Sequence, residues 1–300
     1  MFKKKADKIF DIFNVVILGL IAVIMLYPLY FTVIASFSEP YDVVSGKVMF
    51  WPKGLVLTSY EEVFRNKDIW VGYRNGIVYT VLGTMLNLFL TIPAAYALSK
   101  KFLFKRNWIT TYFVITMYFS GGLLPTYLQV KSLGLLNKPY TLIILGGLSV
   151  YNMIVAKTYF QNSIPESLYE AAEIDGCSQF GQFFKIAIPL AKPIIAVVTL
   201  FYAVGRWNEF FNSLVYISNS EYFSLQMVLR NILLESQLMM STIDTSGMDS
   251  EEISYWMKRA YQAEAMKYAV IFISSLPMLI IYPFVQKYFL KGVMVGSVKG

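Results

Sequence analysis

Histidine is absent from these 300 residues. The commonest general base and the commonest metal ligand are missing with it. A single cysteine, Cys177, excludes an internal disulfide and a thiolate metal cluster. Charged residues make up 15% of the chain, against 56% hydrophobic. Mean hydropathy is +0.52. A soluble chain of this length rarely carries so little charge, so the composition points to a polytopic membrane protein. No G-x-x-x-x-G-K-[ST] run occurs, and the chain does not read as an ATPase itself. No two carboxylates are placed for hydrolysis, and no Ser/His set is possible. No catalytic residue, no metal site and no resident cofactor is assigned.

What the chain has is long apolar runs. Lys3, Lys4, Lys5 and Lys8 precede the first, over 12–37. A signal peptide starts in the same way, but its apolar region is only about 7–15 residues, so this run reads as a retained span. Further spans are expected over 77–98, 108–130, 141–160, 194–217 and 268–290, each near the ~20 residues a bilayer core requires. Pro28, Pro93, Pro277 and Pro283 fall inside spans, and Gly121-Gly122 with Pro125 breaks the third near its end. Such interruptions suit a protein that alternates between two states, and also suit a static bundle. The expected fold is an all-α integral membrane protein, one transmembrane domain over 1–300 with six helices. No internal repeat or second domain is evident.

Six spans place both termini on one side. That side carries 14 basic against 6 acidic residues, and the other 11 against 12, with Arg206 and Glu209 inside the fifth span. The short loop with Lys100, Lys101, Lys105 and Arg106 is the strongest indicator, and the positive-inside rule makes the termini cytoplasmic. Basic loops facing anionic lipid account for the net charge of +7 without nucleic acid.

Residues 163–193 interrupt the apolar runs with a polar, charged stretch on the cytoplasmic side. Ser163 with Glu166 predicts a capping box, and Pro165 sits in the permissive first turn. Leu168, Ala171, Ala172 and Asp175 fall on or near one helical face. Gly176 marks a left-handed stop. A second helix is expected from Ser178 to Ala187, halted by Pro189 and Pro193. Small side chains at Ala171 and Ala172 would let another protein approach the backbone closely, beside Glu166, Glu170, Glu173 and Asp175. A plain amphipathic surface helix would read the same way.

The residue order carries more. Glu170-Ala171-Ala172, three residues, Gly176, nine residues, Ile186, one residue and Ile188-Pro189 closely resembles the EAA loop of permease subunits of type I ABC importers. Ile188 stands where Leu is commoner, and Cys177 where a small residue such as Ala is usual. Gly121-Gly122-Leu123-Leu124-Pro125-Thr126-Tyr127, Trp207-Asn208, residues 286–293 and the 292–300 terminus are similar to the carbohydrate-uptake branch, in particular to the smaller maltose permease and to subunits serving lipoprotein-delivered oligosaccharides. The resemblance implies a cytoplasmic coupling helix held by an ATPase, with Glu170, Ala171, Ala172, Asp175, Gly176, Phe183, Ile186 and Pro189 as coupling residues. It implies a second homologous permease, two ATPase subunits that bind ATP and Mg, an extracellular solute-binding lipoprotein, an oligosaccharide substrate and a bacterial plasma membrane location.

Within the fifth span, Arg206 and Glu209 are three residues apart and can pair, with Tyr202, Trp207, Asn208 and Asn212 around them. They read either as an intrahelical ion pair among interfacial aromatics or as the lining of a translocation path, since rings and amides suit sugars. The 218–267 segment, with Asp249, Glu251 and Glu252, is expected outside the cell and in contact with the binding protein. The same architecture could carry an amino acid or phosphate. A secondary carrier or membrane enzyme would need more buried ionisable groups than the spans supply. A scaffold would not explain the EAA spacing.

Overall fold

The computed structural model describes residues 5–242 and 249–297, and among them every regular element is helical. The chain starts with α1 (Lys5–Ser36), which runs through Pro28. Two short helices follow, α2 (Pro40–Val44) and α3 (Thr58–Arg65), and then the long α4 (Lys67–Ser99). Next come α5 (Arg106–Tyr118), α6 (Leu123–Ser132), α7 (Pro139–Ile144) and α8 (Val150–Asn162). The 163–193 stretch holds α9 (Glu166–Ile174), α10 (Gln179–Gln182), a π-turn over Phe183–Ala187 and α11 (Ile188–Leu190). The chain then runs through α12 (Lys192–Trp207), α13 (Phe211–Tyr216), α14 (Leu225–Thr242) and α15 (Ser250–Ser297).

Three of these helices are long and apolar enough to cross a bilayer, over Lys8–Ser36, Lys67–Ser99 and Glu251–Pro283. A fourth is available if Gln179–Leu190 and Lys192–Trp207, bent by 78°, form one span. The runs over 108–130 and 141–160 are not single helices. The first is interrupted between Tyr118 and Leu123, the second between Ile144 and Val150. The 194–217 run is likewise divided, because α12 ends at Trp207 and α13 starts at Phe211.

Of the 218–267 segment, 243–248 lie outside the described residues, and the described part is largely helical. It contains a 3₁₀ turn at Ser220–Tyr222, all of α14 and the start of α15. The acidic cluster begins α15: Asp249 Oδ1 accepts the N–H groups of Glu251 at 3.0 Å and Glu252 at 2.8 Å. A carboxylate cap with acids in the first turn complements the helix dipole, so the cluster has a local structural role.

The chain forms two compact units, Met1–Ile69 with Leu229–Leu276, and Trp70–Val228 with Pro277–Gly300. In the first, Ile34, Ala35, Val43 and Val48 are buried together against Phe31 and Tyr268. Ser36 and Tyr60 share a hydroxyl hydrogen bond of 2.7 Å there. In the second, the core lies where α4, α8 and α12 meet, around Tyr96, Met153, Phe160 and Val198. Ala95, Ala156, Ala187 and Ala191 are fully buried in it, and such small side chains let helix backbones approach closely.

Candidate functional site

The polar stretch after α8 is a helix pair folded back on the core of the second unit. The expected capping box does not form. Ser163 ends α8, with its N–H on the Tyr159 carbonyl, and Pro165 is the N-cap of α9. Glu166 turns outward and pairs with Lys101 instead. The hydrogen bond from Lys101, helped by the charges of Lys101, Lys100 and Arg106, holds its carboxyl below the usual range despite some desolvation. The exit of α9 is as expected. Gly176 adopts φ +74°, its N–H reaches the Glu173 carbonyl at 3.0 Å, and the Cys177 N–H reaches Ala172 at 2.8 Å. These two bonds make a Schellman cap, with glycine in the left-handed position.

The second helix starts where expected. The Ser178 hydroxyl caps it by accepting the Gly181 N–H at 3.2 Å. It does not stop before Pro189, however. A proline ring inside a helix meets the carbonyl four residues back, here that of Lys185. The π-turn over Phe183–Ala187 widens the helix at that point, and the Ile188 N–H bonds five residues back to Phe183. The helix therefore continues to Leu190 and bends only at Ala191.

Tyr169 anchors α9 and is its one buried side chain. Its ring lies 6.2 Å from that of Tyr96, which in turn meets Phe183 at 4.9 Å and Phe160 at 5.6 Å. The Lys100 ammonium sits over the Tyr169 and Tyr96 rings, at 2.8 and 4.8 Å from their centroids. Burial pushes Lys100 down to about 8, although Glu166 opposes the shift. The buried Gln182 amide donates to the Tyr169 carbonyl at 3.5 Å and joins the two helices. Burial also raises the Tyr169 hydroxyl to about 12, with Tyr96 adding to it, so this tyrosine stays neutral.

Among the residues expected to couple, Phe183 is buried, Ala172 and Ile186 are half-buried, and Glu170, Ala171, Asp175, Gly176 and Pro189 are exposed. The small-residue face thus points away from the core. The exposed surface around the turn is also more apolar than the motif alone suggests. Ile174 is 87% and Phe180 79% exposed, and Phe184 is exposed beside them.

The residues singled out in the fifth span separate into two groups. Arg206 reaches sideways into the break between α7 and α8. Its Nε donates to Asn87 Oδ1 at 2.9 Å, Nη1 to the Leu142 and Leu145 carbonyls at 2.8 Å each, and Nη2 to Ile143 and Gly146 at 3.1 and 3.2 Å. A guanidinium has five N–H donors, and these bonds use five. The expected Arg206–Glu209 pairing is thus superseded by carbonyls left open at the end of α7, where the helix dipole is negative. Glu209 Oε1 instead accepts the Asn212 N–H at 3.0 Å. Tyr202 continues the network, bonding Thr91 at 2.6 Å and accepting the Ser149 N–H at 3.0 Å. Trp207 is buried near Tyr73, with ring centroids 6.1 Å apart. Asn208 is exposed and donates back to the Val204 carbonyl at 2.9 Å.

Residues 69–295 match the family described as "Binding-protein-dependent transport system inner membrane component". The chain belongs to this family. This transport component is 40% identical to "Protein LplC" of Bacillus subtilis (strain 168), over 100% of its own length and 98% of that protein. It is 38% identical to the "Polygalacturonan/rhamnogalacturonan transport system permease protein YtcP" of the same organism, over 98% and 99%. It is also similar to a chain of the crystal structure of a bacterial ABC transporter involved in the import of the acidic polysaccharide alginate. There the TM-score is 0.84 at 34% identity, covering 96% of this chain and 99% of that one. The matched range takes in both the helix pair and the Arg206 network of this transport component.

Sequence reasoning missed Tyr169, Lys100 and Gln182, because their roles depend on α4 standing beside α9. It also passed over Ile174 and Phe180. Their signal was present, since both are large apolar residues close to the Gly176 turn in a polar stretch.

Proposed function

We propose that this chain is the membrane-spanning permease subunit of an ATP-driven, binding-protein-dependent importer of oligosaccharides, and that the 166–190 helix pair is its coupling element. It crosses the membrane six times, using the broken pairs α5–α6 and α7–α8 as two of the crossings, with both termini in the cytoplasm. A second, homologous permease completes the path. Two ATPase subunits supply ATP hydrolysis, and this chain contributes no catalytic group. A solute-binding lipoprotein delivers the sugar from outside.

The observation that carries the reading is the shape of the helix pair. Exposed Ile174 and Phe180 stand on a base locked by Tyr169, Lys100 and Gln182. A protruding apolar knob on a polar surface marks a protein contact. Burying each side chain in a partner groove would contribute about 1.5–3 kcal/mol. The locked base lets the displacement of the knob travel into α4 and α12 as rigid motion, which coupling between two states needs. ATP-driven closure of the ATPases would draw the coupling helices together and open the path outward, and hydrolysis would reset it. The experiment is Ile174→Asp with Phe180→Asp in the assembled complex. ATPase stimulation by the binding protein should disappear, and unchanged stimulation would overturn the assignment.

The relatives favour acidic oligosaccharides within the sugar class. The relative named for polygalacturonan and rhamnogalacturonan is 38% identical, and the one named for galactooligosaccharides is 29% identical. The alginate transporter chain stands at 34%. An uptake panel of uronate-containing and neutral oligosaccharides decides between them. The exposed Asn208, Phe210 and Phe211 around the break between α12 and α13, with Glu209 and Asn212, are the side chains best placed to line the path.

A further inference from the structure

Beside the base of the helix pair lies a cavity of about 130 Å³, lined by Ser99, Lys100, Lys101, Arg106, Glu166 and Tyr169 among others. Three cations face it and one carboxylate, and Lys101 already pairs with that carboxylate. Lys100 sits on two aromatic rings and feels Glu166 through its charge without forming an ion pair with it. Arg106 gives Nη1 to the Ser99 carbonyl at 3.3 Å, which uses one of its five donors. Tyr169 is only 8% exposed, and its hydroxyl finds no partner among the described residues. A small cavity with this excess of positive charge and unused donors suits a phosphate group.

The surroundings indicate what carries the phosphate. Phe102 and Phe104, in the loop that supplies these cations, and Trp108, in the first turn of α5, are 67%, 79% and 76% exposed. Arg106 opens α5, none of whose residues is buried. Exposed rings next to lysine and arginine at the end of an apolar helix have the composition of a membrane interface. Basic pockets between helices on the cytoplasmic side hold anionic lipid heads. A soluble phosphate would use the cations and leave the rings uncovered.

We infer that this cavity binds the head group of an anionic phospholipid, with its phosphodiester among Lys100, Lys101 and Arg106 and its acyl chains along Phe104 and Trp108. The cytoplasmic placement rests on the proposed topology. A lipid seated there neutralises charge against Tyr169, the anchor of α9, and so steadies the coupling element.

The test compares the complete transporter in nanodiscs of phosphatidylcholine alone and with phosphatidylglycerol mixed in. The proteins are the wild type, the double variant Lys101→Gln/Arg106→Gln and a control, Lys131→Gln. Native mass spectrometry reads the lipid retained, and binding-protein-stimulated ATPase reads the consequence. The wild type and the control should retain phosphatidylglycerol in preference. With two basic residues removed, the double variant should retain it roughly 30-fold less tightly. Phosphatidylglycerol should raise stimulated ATPase in the first two proteins and not in the double variant.

Equal retention by the double variant overturns the site. If inorganic phosphate in phosphatidylcholine discs reproduces the activation, the ligand is free phosphate and the lipid assignment fails. If the double variant loses its ATPase subunits whatever the lipid, the cations serve that partner, and the lipid assignment fails again. The retention measurement does not depend on transport, so it stands or falls separately from the importer reading.

Discussion

Gly83 of α4 faces Arg206 of α12 so closely that a Cβ on Gly83 would stand 2.9 Å from the arginine Nε and 3.1 Å from its Cδ. The missing side chain lets the guanidinium lie across α4 and reach Asn87 and the open carbonyls at the end of α7. A half-buried charge inside an apolar bundle is tolerated because every donor is met. Arg206→Met should leave Asn87 Oδ1 and the Leu142, Ile143 and Leu145 carbonyls without their arginine donor, and cost about 3 kcal/mol or more. Arg206→Lys should not restore it, because an ammonium cannot span acceptors fixed for a planar fork. Gly83→Val should cost about 1–3 kcal/mol by displacing the same group. Thermal unfolding of the purified complex checks all three, and a midpoint equal to wild type for Arg206→Met would refute the bracing role.

Tyr202 bridges Thr91 of α4 and the Ser149 N–H that precedes α8. Tyr202→Phe keeps the ring and removes the bridge, leaving a backbone donor unmet. A loss of about 1–2 kcal/mol is expected. Combined with Arg206→Met, the loss should differ from the sum, because both residues hold the same break between α7 and α8. Simple additivity in the double-mutant cycle would show that the break is held by independent contacts.

Gly176 has φ +74°, and a Cβ added there would meet nothing within 4 Å. The constraint is therefore in the backbone and not in packing. Gly176→Ala should cost about 1–2 kcal/mol through the left-handed conformation alone. Gly176→Asn should cost less, because asparagine tolerates this region. Binding-protein-stimulated ATPase should fall in the same order, alanine below asparagine below wild type. Equal activities would show that the turn geometry does not matter to coupling.

Lys100 sets a pH dependence. Burial lowers it from 10.5 to about 8. Between these values the unfolded chain holds more protons at this position than the folded protein does, so stability from this group rises with pH. The gain is absent below about 8 and complete above 10.5. The two rings under the ammonium favour the cation and shrink the effect. Subtracting the thermal stability of Lys100→Met from that of wild type should give a difference that rises across this window. A difference that falls would mean that the rings outweigh burial.

The legible part of this protein was the local part. Apolar length announced α1, α4 and α15, because a helix buries its backbone bonds within its own segment and needs only composition and length to cross a bilayer. Gly176 announced the end of α9, because a left-handed residue is a property of one position and the two bonds around it span only a few residues. Ser178 was found for the same reason. The capping box at Ser163 was also local, but it lost Glu166 to Lys101, 65 residues away in sequence. Likewise the acid three residues from Arg206 looked like its partner, yet the arginine bonds acceptors 60 to 119 residues distant.

Sequence by itself determined that this is an all-helical, membrane-type chain with a polar helix pair between apolar runs, and where that pair turns. The break of the third run at Gly121-Gly122 was legible too; tertiary structure decided how Pro189 is accommodated, what anchors α9 and where Arg206 points. Spacing records only neighbours within a turn or two. The partners of a half-buried cation or an anchoring tyrosine are set by which helices pack side by side, and no period in the chain carries that information.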